Sequence, residues 1–421
     1  MQTAPSADAM QARCCVVGGG PAGMMLGFLL ARAGVDTVVL EKHADFLRDF
    51  RGDTVHPSTL RIVDELGLLD AFLRLPHRKL RRMSALFGDE RLAIADFSGL
   101  PERYAFIAFM PQWDFLDFLA DEGRRLPTLK VRMKARVEAL IEEGGRVTGV
   151  RGVGEDGPFE VRAALTVGCD GRHSTVRAAS ALPLDNVGAP IDILWFRVGR
   201  EATAFDDTLA RITPGRMIVT IDRGDYWQCA FVIAKGQVDV LKNRGIASFR
   251  AEVAKAAPIL AGHVADIASW DDISLLSVSV DRLTAWSKPG LLCIGDAAHA
   301  MSPVGGVGIN LAIQDAVATA NALAAKLRAG GASLPDIDAS LDDVRRRRLF
   351  PTRITQAMQV QVQNNVLVPA LSGAAAGLEP PLPMRLLDAM PPLQRLFARV
   401  IGMGVRPEHV RSPLAGPGGA T

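Results

Sequence analysis

The sequence predicts an α/β protein. A Rossmann-like domain is interleaved with an antiparallel β-sheet domain and followed by a short helical C-terminal segment. Three observations predict it. The glycine cluster Gly18-Gly19-Gly20-Pro21-Ala22-Gly23 separates an apolar run at 14–17 from a helical stretch at 24–33 that ends in Gly34, and a second apolar run at 35–40 closes on Glu41. That is the pattern of a βαβ unit. Residues 182–283 change to alternating strands joined by turns such as Arg223-Gly224-Asp225, as in an antiparallel sheet. After residue 284 the first pattern returns, with a strand at 290–294 and a helix at 309–328.

Between these landmarks, 104–110 reads as a strand, and 113–125 reads as a helix with Phe115, Leu116, Phe118 and Leu119 on its apolar face. Residues 131–151 carry two strands around the Gly144-Gly145 turn, a hairpin signal. A strand at 164–167 runs into Gly168-Cys169-Asp170-Gly171. Within the middle block, 191–198, 217–222 and 226–233 are strands, 246–261 is a helix, and 273–280 alternates again. The Pro/Gly/Ala-rich stretch 366–383 reads as a linker, 384–405 as amphipathic helices, and the chain from 412 as a frayed tail. The expected layout assigns 12–75, 111–181 and 284–365 to the nucleotide-binding domain and 76–110 and 182–283 to the sheet domain, with 366–421 as linker and C-terminal helices.

Composition narrows the function classes. With 421 residues, 48% of them hydrophobic, the chain has material for two or three domains. Forty-eight Lys+Arg against 46 Asp+Glu leave a net charge of +2, so no overall field points to nucleic acid or an anionic membrane. The five cysteines are an odd number, and four of them sit in apolar runs. They read as buried hydrophobes in a reducing, cytoplasmic compartment. The seven histidines show neither HExxH nor paired spacing, so no metal site is expected. Residues 14–31 are uncharged, but their glycines favour strand, turn and helix over a membrane span, and the polar N-terminus does not read as a signal peptide.

The chemistry begins at Gly18-x-Gly20-x-x-Gly23. Gly18 permits the tight turn, Gly20 lets backbone approach a pyrophosphate, Gly23 with Ala22 beside it lets helix pack on strand, and the helix N-terminus favours the phosphate charge. Glu41, at the end of the second strand, can accept from both ribose hydroxyls of an adenosine. An acid there argues against a 2′-phosphate, leaving FAD or NAD as the dinucleotide.

Two further motifs separate these. Gly168-Cys169-Asp170-Gly171-Arg172-His173-Ser174-Thr175-Val176-Arg177, and Gly295-Asp296-Ala297-Ala298-His299 followed by Pro303, Gly306, Gly308 and Asn310, stand in order behind the first. Together the three resemble the motifs of flavin monooxygenases related to para-hydroxybenzoate hydroxylase, over about residues 12–330. The resemblance implies FAD as cofactor and NAD(P)H as a transient co-substrate with no nucleotide fold of its own. It implies O2-dependent hydroxylation, through a flavin C4a-hydroperoxide, of an aromatic molecule of phenolic, quinoid or heteroaromatic type. The hard chemistry is then the cofactor's, and few catalytic side chains are expected.

On this reading Asp296 accepts from the ribityl chain. Gly295, Pro303, Gly306, Gly308 and Ile309 bring backbone to the flat ring, with Asn310 beside them, and the helix starting near Ile309 stabilises the reduced, anionic flavin. The resemblance adds Lys42 next to Glu41, Arg51 (with Arg48 as a rival alignment), Gln112, Asp170 and Arg177 as cofactor contacts. Plainer readings exist for several of these residues: Asp296 as a helix N-cap, Asp170–Arg177 as a surface ion pair, and Arg51 as an exposed side chain. His56 is a weak catalytic candidate for moving a phenolic proton, with a helix-capping or surface role as its plainer reading. Three other functions stay open: a reductase of the geranylgeranyl reductase type acting on a C=C bond, a plain NAD-dependent dehydrogenase, and a non-catalytic flavin redox sensor. The C-terminal helices can cover a substrate entrance, pair in a homodimer, touch a membrane peripherally through Leu386, Leu387, Leu393, Phe397 and Ile401, or pack on the nucleotide domain, the favoured reading. The sequence leaves open which residues of the middle sheet face a substrate.

Overall fold

The computed structural model describes residues 8–47, 54–201, 208–328, 330–373 and 379–415. Its first sheet is built on the strand Asp8–Val17, which starts upstream of the apolar run that announces it. That strand pairs in parallel with Thr37–Leu40 on one side and Gly157–Gly168 on the other. Leu129–Arg132 and Leu291–Cys293 extend the parallel set outward. The hairpin of Arg136–Glu143 and Arg146–Gly154 is added antiparallel to Gly157–Gly168. Burial follows from the sequence: Cys14, Cys15, Val16, Val38, Val39, Leu165 and Val167 are all apolar and all buried, as strands covered on both faces must be.

The register decides where a ligand can sit. Val17 is level with Leu40 and with Gly168, and Gly168 is level with Cys293. The carboxyl ends of these strands therefore finish together, and each runs into one of the sequence motifs. Above them the helix Pro21–Arg32 is buried along most of its length, and Gly27 lets it close on Val39, because a Cβ there would lie 2.5 Å from that side chain.

The second large sheet has the order Ser274–Ser277, Ile191–Gly199, Tyr226–Ala234, Arg216–Asp222, Thr208–Thr213, Arg82–Phe87, Glu90–Asp96. Alternation assigns its two faces. Leu194, Phe196, Ile218, Trp227, Cys229 and Phe231 pack with Phe249 of the helix Ile246–Ala256 on the outer face. Trp195, Ile193, Val219, Ala230 and Val232 lie on the inner face, which meets Val304 and the helical residues Val362 and Val366. A small sheet of Thr54–Val55, Ile107–Phe109 and Arg78–Leu80 lies between the two large sheets in the chain.

Two expectations about the C-terminal third change. The helix Leu334–Val362 was not announced by the sequence, and it continues through a π turn, Gln363–Leu367, into Val368–Leu371. The first residues of the expected linker are therefore helical, with Leu367 and Ala370 buried. The helix Pro391–Met403 packs on both partners at once: a Cβ at Gly402 would lie 3.0 Å from the ring of Phe97, next to the strand Glu90–Asp96, and 3.0 Å from Pro57. It bridges the two parts of the molecule rather than resting on one. Among the described residues no helix is long and apolar enough to cross a membrane.

Candidate active site

The three glycine-bearing motifs meet at the carboxyl edge of the parallel sheet. Gly18 has φ +106°, and a Cβ on it would sit 2.5 Å from the Cys169 carbonyl oxygen, so the first and second motifs touch through backbone. A Cβ on Gly23 would overlap the Gly18 carbonyl oxygen at 1.9 Å. A Cβ on Gly295 would lie 3.2 Å from the Cβ atoms of Ala22 and Ala312, which brings the third motif against the first.

What these glycines leave open is as informative. A Cβ on Gly20 or Gly308 would meet nothing within 4 Å. Gly20 is the N-cap of Pro21–Arg32 and Val307 that of Gly308–Leu327; neither helix has a side-chain cap or an acid in its first turn. Two helix N-termini thus point unsatisfied N–H groups into open space on the same side of the sheet, which is a fit for a ligand with an anionic middle and an electron-rich ring.

Glu41 is buried at the end of its strand, where its Oε2 accepts from the Gly19 N–H at 2.8 Å and its Oε1 from the His43 N–H at 3.0 Å. It braces the glycine turn at the level of the first helix. Lys42 beside it is exposed, and Gln112 opens the helix Gln112–Gly123 half-buried. Arg51 and its rival Arg48 lie outside the described residues.

Asp170 and Arg177 do not pair with each other, so the surface ion-pair reading is corrected. Asp170 accepts from the Ser174 hydroxyl and from the Val176 N–H at 3.1 Å, while burial pushes its carboxyl above the usual range. Arg177 donates to Asp281 Oδ1 at 3.2 Å, and the same oxygen accepts from the Ala300 N–H. The Asp170 turn is thus held by the helix Thr175–Ser180 that follows it, and Arg177 ties that helix to the third motif.

Asp296 is not the N-cap of a long helix either. It sits in the one-turn Gly295–Ala297 segment, 31% exposed, with Arg172 Nη2 3.6 Å away. Arg172 is a residue the sequence reading passed over: its Nη1 is buried without a partner, which places a cation beside Asp296. Its signal was its position inside the second motif.

Residues 303–308 form the rim. Gly306 has φ +63°, and a Cβ on it would lie 2.6 Å from Thr54 Oγ1, which itself donates to the Gly306 carbonyl at 3.0 Å. Pro303 caps the Val304–Gly306 turn, and Ile309 is in the first turn of the helix behind it. Asn310 is buried and acts as a clamp: its Oδ1 accepts from the His56 N–H at 2.9 Å and the Thr59 hydroxyl at 2.7 Å, and its Nδ2 donates to Gly306 O at 3.3 Å. It orders the loop rather than reaching into the open space.

His56 is neither a surface group nor a side-chain cap. It occupies the N-cap position of Pro57–Glu65 without a side-chain cap bond, is wholly buried, and donates from Nδ1 to the Ile401 carbonyl at 3.1 Å. Its Nε2 has no partner, and burial pulls its pKa down to about 4, so the ring is neutral near pH 7.

Residues 11–349 match the FAD binding domain family. The chain is 33% identical over 416 residues to 6-methylpretetramide 4-monooxygenase of Streptomyces rimosus, covering 97% of this chain and 96% of that protein. The chain belongs to the FAD-dependent aromatic monooxygenases. It is also 24% identical over 80% of its length to para-nitrophenol 4-monooxygenase of a Pseudomonas species, covering 82% of that protein. The anhydrotetracycline hydroxylase OxyS of Streptomyces rimosus superposes with a TM-score of 0.70 at 25% identity, over 97% of this chain and 78% of that one. This monooxygenase therefore has FAD as its cofactor, and the glycine cradle and the two open helix ends fit that group.

Proposed function

We propose that this monooxygenase uses NAD(P)H and O2 to hydroxylate a polycyclic phenol, held between the 303–308 loop and the inner face of the seven-stranded sheet. The observation that carries the reading is the end-to-end match, C-terminal helices included, to a relative whose name is 6-methylpretetramide 4-monooxygenase. When bound, FAD supplies the electron transfer and the oxygen activation. The chain's own residues bind, orient and exclude water.

Gly18, Gly20, Ala22 and Gly23 would admit the pyrophosphate to the first helix end, with Glu41 and Lys42 toward the adenosine ribose. Asp170, from the second motif, and Gly295 and Asp296, from the third, would hold the ribityl chain, with Arg172 a cation beside Asp296. The N–H groups of Gly308 and Ile309 would hold the flavin ring at the open helix end, where a helix N-terminus lowers the cost of the negative charge that reduction brings. Gln112 and Arg51 complete the expected contacts.

On the substrate side, Trp195 and Gln228 are inner-face residues by alternation. Trp195 Nε1 is a buried donor without a partner, suited to a phenolic or carbonyl oxygen, and Gln228 is braced by Arg223 Nε at 3.0 Å. Five free thiols suit a reducing cytoplasm.

The test is NAD(P)H oxidation by the FAD-loaded enzyme across a panel of single-ring and polycyclic phenols, with products analysed after turnover under isotopically heavy dioxygen. Faster oxidation with a polycyclic phenol and one heavy oxygen in the product is expected. Product reduced at a C=C bond under anaerobic turnover, or no substrate-stimulated oxidation at all, would overturn the reading in favour of a reductase or a redox sensor.

A further inference from the structure

The two C-terminal helices leave an apolar outward face uncovered. Leu382, Leu386, Met390 and Leu396 are 69%, 47%, 45% and 58% exposed, all within residues 382–396. Single surface leucines are ordinary, but four large apolar side chains on two helices that pack against each other make a patch. Leu382 and Leu386 stand one turn apart on the helix Leu382–Ala389. Holding the helices to the molecule does not require this exposure, because their other sides do it: Asp388 accepts from the Ala93 N–H at 2.7 Å, and Ala398, Gly402 and Met403 are buried. Of the residues the sequence offers for a membrane contact, Leu386 alone is exposed, whereas Leu387, Leu393, Phe397 and Ile401 are half-buried.

Cations share that face. Arg395 and Arg399 are exposed one turn apart with Leu396 between them, and the helix Pro391–Met403 contains no acid. The positive surface continues onto the neighbouring strands. A Cβ on Gly99 would lie 3.5 Å from Arg395 Cβ, the Phe97 N–H donates to the Arg81 carbonyl at 3.0 Å, and the Arg82 side chain, 80% exposed, reaches Asp96 only at 4.0 Å. Lys79 and Arg81 are exposed on one side of their chain, both over the Phe106 ring, at 4.7 and 5.9 Å from its centre. Among the described residues Lys79, Arg81, Arg395 and Arg399 take part in no ion pair. The acids nearby are already engaged, Asp388 by the sheet edge and Glu379 by Arg385 at 2.9 Å. A chain of net charge +2 thus concentrates unanswered cations around its most exposed apolar side chains.

Charge complementarity decides what covers this face. A second copy meeting it about a two-fold axis would bring two sets of arginines together with no acid to answer them. An anionic lipid surface answers both features, because its headgroups attract the cations and the boundary of its acyl chains takes the leucines. We infer that the outward face of residues 382–399, with Lys79, Arg81 and Arg82 at its margin, docks this enzyme reversibly on an anionic membrane surface. The contact is interfacial, since no described helix is long and apolar enough to span. On its inner side the same helix accepts from His56 through the Ile401 carbonyl, and His56 Nε2 would lie 3.5 Å from a Cβ on Gly306, so the docked flank is one helix away from the 303–308 loop. The inference requires neither a polycyclic substrate nor oxygen transfer.

The test sediments FAD-loaded full-length enzyme with vesicles of phosphatidylcholine, alone or with about one quarter phosphatidylglycerol. Sedimentation with the anionic vesicles only, reversed by about 0.5 M sodium chloride, is expected. Arg395→Gln/Arg399→Gln should weaken it by about twenty-five-fold, at roughly fivefold per cation lost. Leu386→Ser/Leu396→Ser should weaken it by about tenfold or more through the lost apolar contact. Both variants should melt with the wild type, because the side chains they change are exposed. Light scattering without vesicles tests for a second copy on this face. Enzyme that ignores the anionic vesicles, that sediments equally with phosphatidylcholine alone, or whose two variants bind undiminished would overturn the assignment. So would a homodimer that Leu386→Ser/Leu396→Ser dissociates, which would give the face to a second copy.

Discussion

Arg348 Nε donates to Asp315 Oδ1 at 2.9 Å, and neither side chain exposes any surface. The other oxygen of Asp315 accepts from His299 Nε2 at 2.6 Å and from the Gly295 N–H at 3.1 Å, so this buried carboxylate holds the turn that carries Asp296. Arg348 continues to Glu408 Oε1 at 3.3 Å, tying the C-terminal segment to the same turn. Arg348→Met would take the buried arginine from Asp315, leaving it His299 alone, while Glu408 keeps Arg347 Nε at 2.6 Å; breaking the buried Asp315–Arg348 pair is a loss of about 3–5 kcal/mol. Thermal unfolding of the apoprotein should show it, together with weaker FAD retention.

The same pair sets an acid limit. Burial alone would raise the Asp315 carboxyl, but His299 and Arg348 hold it below its ordinary value. A carboxyl depressed in the folded state contributes stability that is present above its unfolded pKa and lost as pH falls through the folded one. Asp315→Asn should therefore flatten the acid end of the stability curve, below about pH 4, where the wild type loses this contribution. Denaturant midpoints at stepped pH read it directly.

His56 works at higher pH and with the opposite charge. Its folded pKa of about 4 lies below the unfolded value of 6.5, so the unfolded chain binds the proton first, and stability declines as pH falls from about 6.5 toward 4. The effect is about 3 kcal/mol at most. Imidazole nitrogen shifts should report the Nδ1–H tautomer, matching the bond to Ile401, down to that pH. A His56 that titrates near 6.5 would contradict its burial.

The five thiols are all buried, and burial pushes Cys14 and Cys293 up to about 12. Native enzyme at pH 8 should leave all of them unreacted toward a thiol reagent, and denatured enzyme should titrate all five.

How much of this was legible follows from what each signal depends on. The βαβ unit was readable because glycine, apolar run and terminal acid are local, and the register that makes Val17, Leu40 and Gly168 level only sharpened it. The helix Leu334–Val362 was not, because its sequence is polar on most sides, with Arg345 to Arg348 in succession and Pro351 inside, so no apolar stripe announces it. Its buried members, Arg348, Gln356 and Gln359, are polar groups whose reason lies in loops far along the chain. The facing of Trp195 and Gln228 needed the pairing of their strands, which alternation alone leaves two-fold ambiguous. Asp315 had a signal that went unread: it is the only acid in the Gly308–Leu327 helix.

The central claim is that FAD lies over the open helix end at Gly20, and one substitution separates it from the fold. Gly20 has ordinary extended backbone, φ −74° and ψ −175°, and a Cβ there meets no protein atom within 4 Å. Gly20→Val should leave the unfolding temperature of the apoprotein unchanged and weaken FAD binding by at least about a hundredfold, through overlap with the cofactor in that space. Gly18→Ala, with φ +106° and no room, should instead damage the fold itself. The measurement is FAD titration of the wild-type and Gly20→Val apoproteins beside their melting curves. Equal melting with lost FAD affinity is the predicted result, and Gly20→Val apoprotein that binds FAD as tightly as the wild type would contradict the account.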